Sequence, residues 1–223
     1  MAVDVEILKK VAYFAGFTAA ELEEVSKTFF EQSFKRGEII SLEAEKADNL
    51  YIVAAGVVKV FKTSAEGKEQ ILYLVHAGQT FNDVPVIDGL TSQASAQAMV
   101  AVDVYGISRI DMLALLDRYP KAMSNAAELL SGRVRDLSLL VEDLSFKHVI
   151  GRVAGILLRY AGDGNGPKPR LTQQDMAAMA GTAREVVGRS LKMLEADGTI
   201  KMNRHRIAIS NKKALQDMVE MVA

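Results

Sequence analysis

The chain has 223 residues, enough for one large domain or two smaller ones, and its formal net charge is only −1. The charge is unevenly distributed: residues 147–223 hold 13 Lys and Arg against 7 Asp and Glu, whereas residues 1–146 hold 14 against 21. The chain contains no cysteine, which excludes disulfides, thiol-based redox sensing and iron–sulfur clusters with Cys ligands. An acidic front joined to a basic back predicts two parts with different partners, of which the basic one binds a polyanion.

Targeting and membrane-spanning signals are not visible in the sequence. The first ten residues have neither a basic region nor an apolar stretch of the secretory type, and no apolar run approaches 18 residues. We therefore expect a cytoplasmic protein that has no membrane partner.

The N-terminal part, residues 1–119, is predicted to be a small β domain preceded by helices. Residues 4–30 alternate apolar and acidic residues at helical spacing, with Thr18 as a helix N-cap. From about residue 33 to 110, short strand-like runs such as "YIVAAGVVKVF" are separated by glycines at hairpin spacing. This pattern is typical of a β sandwich or barrel.

A long helix is predicted over residues 120–145, and its apolar positions form heptads. β-Branched residues at two of three a positions, with leucine at most d positions, favour a parallel two-stranded coiled coil and hence a homodimer. The alternative is an ordinary amphipathic helix packed on its own domain. The predicted dimer seam consists of Ala127, Val134 and Val141 at a, and Met123, Leu130, Leu137 and Leu144 at d.

The C-terminal part, residues 146–223, has the pattern of a winged helix-turn-helix. After the Gly/Pro-rich connector "AGDGNGPKPR", Thr172 with Asp175 and Thr182 with Glu185 have capping-box spacing, so each pair is predicted to start a helix. Gly181 lies in the turn between them. The segment "IKMNRHRIAIS" alternates like a two-stranded wing. The fold class is thus α+β, with a β domain, a long helix and a winged helix-turn-helix.

The second helix of this motif presents an unusual face, because charged residues surround a mid-helix glycine, Gly188. Arginine can bind guanine O6 and N7 with two hydrogen bonds, and a carboxylate can accept from cytosine N4. We therefore expect Arg184, Glu185 and Arg189 to contact base edges, although a solvated face remains the alternative. Gly188 costs about 1 kcal/mol in a helix interior, which suggests close approach of another molecule. The residues expected to contact phosphates are Thr172, Thr182, Lys192, Arg204 and Arg206.

The segment "LTQQDMAAMAGTAREVVGRSLKMLEADGTI" closely resembles the helix-turn-helix of CRP/FNR-type bacterial transcription regulators, and the resemblance extends over the whole chain. It implies an N-terminal jelly roll of the cyclic-nucleotide-binding type, a dimerisation helix, and double-stranded DNA and RNA polymerase as partners. Arg184, Glu185 and Arg189 match the base-contacting positions of the catabolite-activator branch. The resemblance therefore implies an inverted repeat of TGTGA-like half-sites.

The sensor segment departs from the family's cyclic AMP pattern. Asn82-Asp83 stand where a Gly-Glu pair contacts the ribose, and Gln93-Ala94 stand about where an Arg-Ser or Arg-Thr pair binds the phosphate. A buried phosphate without a cation would cost several kcal/mol. On the long helix, Leu137 and Ser138 replace the polar residues expected to touch adenine. The resemblance thus implies an effector pocket lined by residues 82–94 and closed by Leu137 and Ser138, for a ligand other than cyclic AMP.

The identity of the effector stays open at this point. Haem carrying a diatomic gas is one alternative, with His76 as axial ligand; a small organic ligand, a redox-stress signal, constitutive DNA binding and a cyclic AMP response are others. A metalloenzyme is disfavoured because His76, His148 and His205 are far apart in the sequence. With no nucleophile elbow or P-loop, we expect no enzymatic activity.

Overall fold

The computed structural model describes residues 3–160, 171–203 and 206–220, with Arg206 described by its backbone only. The chain forms two compact units. The N-terminal unit comprises Met1–Lys62 and Leu72–Arg135, and the C-terminal unit comprises Thr63–Ile71 and Asp136–Ala223. The short segment 63–71 therefore groups with the C-terminal unit although it lies early in the sequence.

The N-terminal unit begins with helix α1 (Val5–Leu8), a 3-10 turn (Ala12–Phe14) and helix α2 (Ala19–Ser26). Thr18 caps α2 as the sequence predicts: its hydroxyl accepts from the backbone N–H of Glu21 at 3.3 Å, and the Glu21 carboxylate accepts from the Thr18 N–H at 2.7 Å. This reciprocal capping box fixes the start of the helix.

Eight strands follow and form two antiparallel sheets, with strand orders β1-β8-β3-β6 and β2-β7-β4-β5. Apart from the tip of the β4–β5 hairpin, these strands belong to the N-terminal unit. Their inward side chains come from both sheets and share one core, as in a sandwich, which confirms the predicted jelly roll. The strands are β1 (Phe30–Phe34), β2 (Ile39–Ser41), β3 (Asn49–Ala55), β4 (Val57–Thr63), β5 (Glu69–His76), β6 (Thr80–Phe81), β7 (Ser95–Ala98) and β8 (Val102–Ser108).

Three helices accompany these strands: α3 (Asp83–Asp88), α4 (Arg109–Arg118) and α5 (Pro120–Phe146). Helix α4 was not predicted from the sequence. Its signal is the spacing of Ser108 and Asp111, since the Ser108 hydroxyl accepts from the Asp111 N–H at 3.1 Å.

Helix α5 has the length expected of the dimerisation helix, and the two compact units divide within it. Ala122 and Ala126 are buried in the N-terminal unit. The predicted seam is on another face, where Met123 is 47% exposed and Val134 and Val141 are each 63% exposed in the single chain. A row of exposed apolar side chains at heptad spacing is what a two-stranded coiled coil would cover.

The C-terminal unit contains the predicted helix-turn-helix and wing around a compact apolar core. Strands β9 and β10 pair antiparallel, with Arg206 opposite Asn203. A last helix, α9, was not predicted; it packs so closely on α6 that a Cβ at Gly151 would lie 2.8 Å from the Met218 carbonyl oxygen. The elements are α6 (Val149–Tyr160), α7 (Gln173–Ala180), α8 (Arg184–Ala196), β9 (Ile200–Asn203), β10 (Arg206–Ile209) and α9 (Lys212–Glu220).

One predicted cap is confirmed and the other is wrong. Thr172 and Asp175 form the expected capping box at the start of α7. Thr182 and Glu185 do not form one, because α8 begins at Arg184 with Ala183 as its uncapped N-cap residue. Thr182 instead belongs to the end of α7, where its N–H donates to the Ala177 carbonyl at 3.1 Å. Gly181 (φ 62°) makes this left-handed helix end possible.

Candidate nucleic-acid interface and effector site

The exposed face of α8 is organised as the sequence predicts. Val187, Leu191 and Leu194 are all buried in the core of the C-terminal unit and hold the helix in place. The opposite face is exposed to solvent and carries two arginines, a carboxylate and a lysine, namely Arg184, Glu185, Arg189 and Lys192. Three of these four lie in the N-terminal half of α8, the half that meets base edges in a helix-turn-helix.

Gly188 lies in the middle of this face. A Cβ added there would meet only the Gln173 side-chain oxygen, at 3.5 Å, which is an ordinary contact distance. The packing of the protein itself therefore leaves room for a methyl group. Since glycine costs about 1 kcal/mol relative to alanine in a helix interior, this supports the hypothesis that another molecule approaches the backbone here.

The residues expected to contact phosphates are in different environments. The Thr172 hydroxyl donates to the Asp175 carboxylate at 2.7 Å, so its proton is used within the capping box. Lys192 is exposed on α8. Arg204 lies outside the described residues, as does the side chain of Arg206, whose backbone pairs within the wing. The N-terminus of α7, with its positive dipole end, remains suited to an anion.

The sensor segment contains a buried ion pair that the sequence analysis missed. The Asp83 side chain is fully buried, and its Oδ2 lies 2.5 Å from Nη1 of Arg133 on α5. Its Oδ1 accepts from the Thr80 hydroxyl at 2.6 Å. Arg133 also donates to the Thr80 carbonyl oxygen and, at 3.3 Å, to the Tyr73 hydroxyl. Asp83 and Arg133 thus neutralise each other inside the N-terminal unit.

The environment of this pair is apolar enough to perturb a neighbouring phenol. Burial raises the pKa of Tyr13 well above its usual range, and the negative charge of Asp83 raises it further. The signal for Arg133 was present in the sequence, because it follows Ala122, Ala126 and Leu129 at helical spacing on the buried stripe of α5. A cation on an apolar stripe usually has a buried partner, but helical periodicity alone does not identify the partner residue.

Strand β2 connects the two halves of the predicted effector segment. The Ser41 hydroxyl donates to Oδ1 of Asn82 at 3.2 Å, and Ser41 pairs with Ala96 on β7, just after Gln93 and Ala94. Asn82 itself has a left-handed backbone (φ 62°), which is uncommon outside glycine and is frequent at functional sites.

A second cation lies beside Gln93, although the sequence analysis considered none there. Lys62 Nζ donates to the Gln93 carbonyl oxygen at 2.8 Å and lies 2.5 Å from the Glu43 carboxylate. Gln93 is exposed, and Ala94 is half-buried against the sheet core. Lys62 is therefore half-exposed and already balanced by an acidic partner, unlike a cation kept for a buried phosphate.

Three further predicted site residues lie on helix α5 and strand β5. Leu137 and Ser138 lie on the part of α5 that groups with the C-terminal unit, so their role in closing a pocket stays a prediction. His76 ends β5, and its backbone N–H donates to the side-chain oxygen of Gln79 at 2.9 Å. Across the described parts of the chain, no three or more His, Cys, Asp or Glu side chains are grouped to hold a metal ion. Nor does any helix there have the length and apolarity to cross a membrane.

Two known domains match the two halves of the chain: residues 31–119 match the cyclic nucleotide-binding domain, and residues 151–218 match the Crp-like helix-turn-helix domain. The cyclic AMP receptor protein of Thermus thermophilus is 30% identical over 211 residues, covering 95% of this chain and 98% of that protein. The CRP-like cAMP-activated global transcriptional regulator of Mycobacterium tuberculosis is 27% identical over 217 residues, covering 94% and 97%. The chain belongs to the CRP/FNR family.

Solved structures of CRP/FNR proteins share this fold. FixK2 from Bradyrhizobium japonicum has a TM-score of 0.77 at 24% identity, covering 87% of this chain and 99% of that one. The catabolite activator protein of Thermus thermophilus has a TM-score of 0.56 at 30% identity, covering 93% and 98%. Regulators of the CRP/FNR family bind DNA and are dimeric, and this chain is a DNA-binding transcription regulator of that type.

Proposed function

We propose that this regulator binds, as a homodimer, an inverted repeat of TGTGA-like half-sites, and that its N-terminal unit binds an effector other than cyclic AMP. The observation that carries the first part is the α8 face, where Arg184, Glu185 and Arg189 are exposed above a buried apolar stripe. The proposal also includes that the protein interacts with RNA polymerase and that it is cytoplasmic.

The chemistry of this face matches a GC-containing half-site. Each arginine can donate two hydrogen bonds to a guanine, and Glu185 can accept one from cytosine N4. Two copies of α8 related by the dimer axis would enter successive major grooves. The half-sites are then expected one helical turn apart, about 34–36 Å for this mode of docking.

Replacing Arg189 with alanine is expected to remove sequence discrimination at one G·C pair. The loss should be about 1–3 kcal/mol on the specific site, because a bidentate contact to guanine disappears. Lys192→Ala is the matched control on the same helix face. Loss of a phosphate contact should weaken binding to all sequences alike and reduce its salt dependence. Fluorescence anisotropy on specific and random duplexes at several salt concentrations measures both. Equal losses on both duplexes for Arg189→Ala would rule out base contact by this residue.

The proposed effector is less anionic than a cyclic nucleotide. The segment from Thr80 to Ala94 contains no lysine or arginine. Two of the cations beside it are held by carboxylates, Arg133 by Asp83 and Lys62 by Glu43. An incoming phosphate would have to compete with a carboxylate for either cation, and a buried charge without a partner costs several kcal/mol.

A cyclic AMP response is the second candidate, because two relatives are named for cyclic AMP. We expect millimolar cyclic AMP to leave the melting temperature and the operator affinity unchanged, since a ligand shifts an equilibrium only through unequal affinity for its states. Calorimetry with and without the nucleotide, together with operator titrations, distinguishes the candidates. A rise in melting temperature that saturates at micromolar cyclic AMP, with tighter operator binding, would establish the second candidate. A haem Soret band in freshly purified protein would instead identify a gas sensor.

A further inference from the structure

The geometry points to Gln70 and Arg152 as positioning residues that hold the turn of the helix-turn-helix and thereby set the orientation of α8 for paired half-sites. The inference rests on the proposed binding of an inverted repeat. All the residues concerned belong to the C-terminal unit, which includes the tip of the β4–β5 hairpin, Thr63–Ile71.

Three successive carbonyl groups at the end of α7 receive side-chain donors. A helix leaves its last four carbonyls without partners inside the helix, so their partners decide how the chain leaves it. Gln70 Nε2 donates to the Met179 carbonyl at 3.3 Å, and Arg152 Nε donates to the Ala180 carbonyl at 2.8 Å. Lys68 Nζ lies 3.5 Å from the Gly181 carbonyl oxygen. Two of the three donors come from the hairpin tip.

The turn itself is closely packed between the hairpin and the end of α5. A Cβ at Gly181 would lie 2.6 Å from Cδ2 of Leu144 and 3.0 Å from Oε1 of Gln70, and the residue has a positive φ of 62°. Helix α8 begins at Arg184, three residues after Gly181. A displacement at this turn is therefore transmitted to the base-contacting residues.

Arg152 connects the same turn to the dimerisation helix. Besides the Ala180 carbonyl, its guanidinium contacts the carbonyl oxygens of Lys147 at 2.7 Å, Asp143 at 3.3 Å and Leu144 at 3.4 Å. One planar side chain thus joins the C-terminal end of α5 to the C-terminal end of α7. Because α5 carries the predicted seam, this contact would fix the direction of each α8 with respect to the dimer axis.

Gln70 also lies close in sequence to the effector site. Three residues further along β5, the Tyr73 hydroxyl accepts from Arg133, the partner of Asp83. A ligand that alters the position of Tyr73 therefore acts on the strand that carries Gln70.

The test compares Gln70→Glu and Arg152→Lys with the wild-type protein and with Glu66→Gln, a control at an exposed position of the same hairpin tip. Glutamate is nearly isosteric with glutamine but cannot donate to the Met179 carbonyl. Lysine keeps the positive charge of arginine but cannot donate to several carbonyl groups in the planar arrangement of a guanidinium. The probes are duplexes with one TGTGA half-site, with two half-sites at the preferred spacing, and with one or two base pairs inserted between them.

We expect Gln70→Glu and Arg152→Lys to bind the well-spaced repeat about tenfold more weakly, because the turn before α8 loses a side-chain donor and no longer holds the two α8 helices in one orientation. Binding to the single half-site should be unchanged, and the penalty for inserted base pairs should become smaller. The variants should stay dimeric like Glu66→Gln, and their melting temperatures should fall by only about 2–4 °C, the effect of a weakened intramolecular contact.

If the wild-type protein binds the repeat, two results would overturn the inference about Gln70 and Arg152 and leave the proposed function intact. One is an unchanged spacing preference in both variants. The other is an equal loss on single and paired half-sites with a lower melting temperature, which would show that these residues only stabilise the fold. Failure of the wild-type protein to prefer any inverted repeat would overturn the proposed function as well.

Discussion

Replacing Leu130 and Leu137 together with glutamate is expected to convert the protein to monomers that no longer bind an inverted repeat. Both residues occupy predicted d positions of α5, and Val134 between them is 63% exposed in the single chain. Burying a leucine side chain contributes about 1.5–3 kcal/mol. In the dimer the double variant would lose four such side chains and place four carboxylates in the seam, where unpaired charges are strongly destabilising.

Sedimentation equilibrium and operator binding measure this effect directly. Leu139→Glu is the matched control, because Leu139 is 56% exposed and lies outside the a and d positions of the same helix. That variant should remain dimeric and bind DNA. If the Leu130 and Leu137 double variant also remains dimeric, the seam lies on another face of the molecule.

Replacing Arg133 with methionine is expected to lower the free energy of unfolding of the N-terminal unit by about 3–5 kcal/mol, the usual cost of breaking a buried ion pair from one side. The Asp83 carboxylate is fully buried and would lose the guanidinium that lies 2.5 Å from it. The double variant Asp83→Leu, Arg133→Met should recover much of this loss, since replacing both charges removes the uncompensated one.

Chemical denaturation of the two single variants and the double variant gives the coupling energy of the pair. Tyrosine fluorescence follows the N-terminal unit in these experiments, because five of the six tyrosines of the chain lie before residue 120. A loss below about 1 kcal/mol for Arg133→Met would contradict the account, because it would mean that the buried Asp83 carboxylate finds another partner at little cost.

Local patterns in the sequence predicted the elements whose structure depends on nearby residues. The heptads of α5, the capping box at Thr172 and the division of α8 into a buried and an exposed face follow from helical periodicity. The error at Thr182 has the same local origin. Its spacing to Glu185 satisfies a capping box, but the left-handed Gly181 before it uses the Thr182 N–H to complete the end of α7.

Contacts between distant residues were not predictable in this way. Asp83 and Arg133 are separated by 50 positions in the sequence. Gln70 and Met179 are separated by 109. No periodicity relates such pairs, because each becomes adjacent only when sheets and helices are packed. The predicted effector segment therefore rests on a resemblance, while the charges that surround it required the structure.

Equilibrium binding of the purified wild-type protein to two duplexes of equal composition tests the central claim most directly. One duplex carries an inverted repeat of TGTGA with half-sites one helical turn apart, and the other carries the same bases in scrambled order. At physiological salt we expect one dimer per specific duplex and a preference of about 10³-fold or more, the range of specific regulators. Equal affinity for the two duplexes, with the same salt dependence, would contradict the assignment of α8 as the base-contacting helix for this repeat.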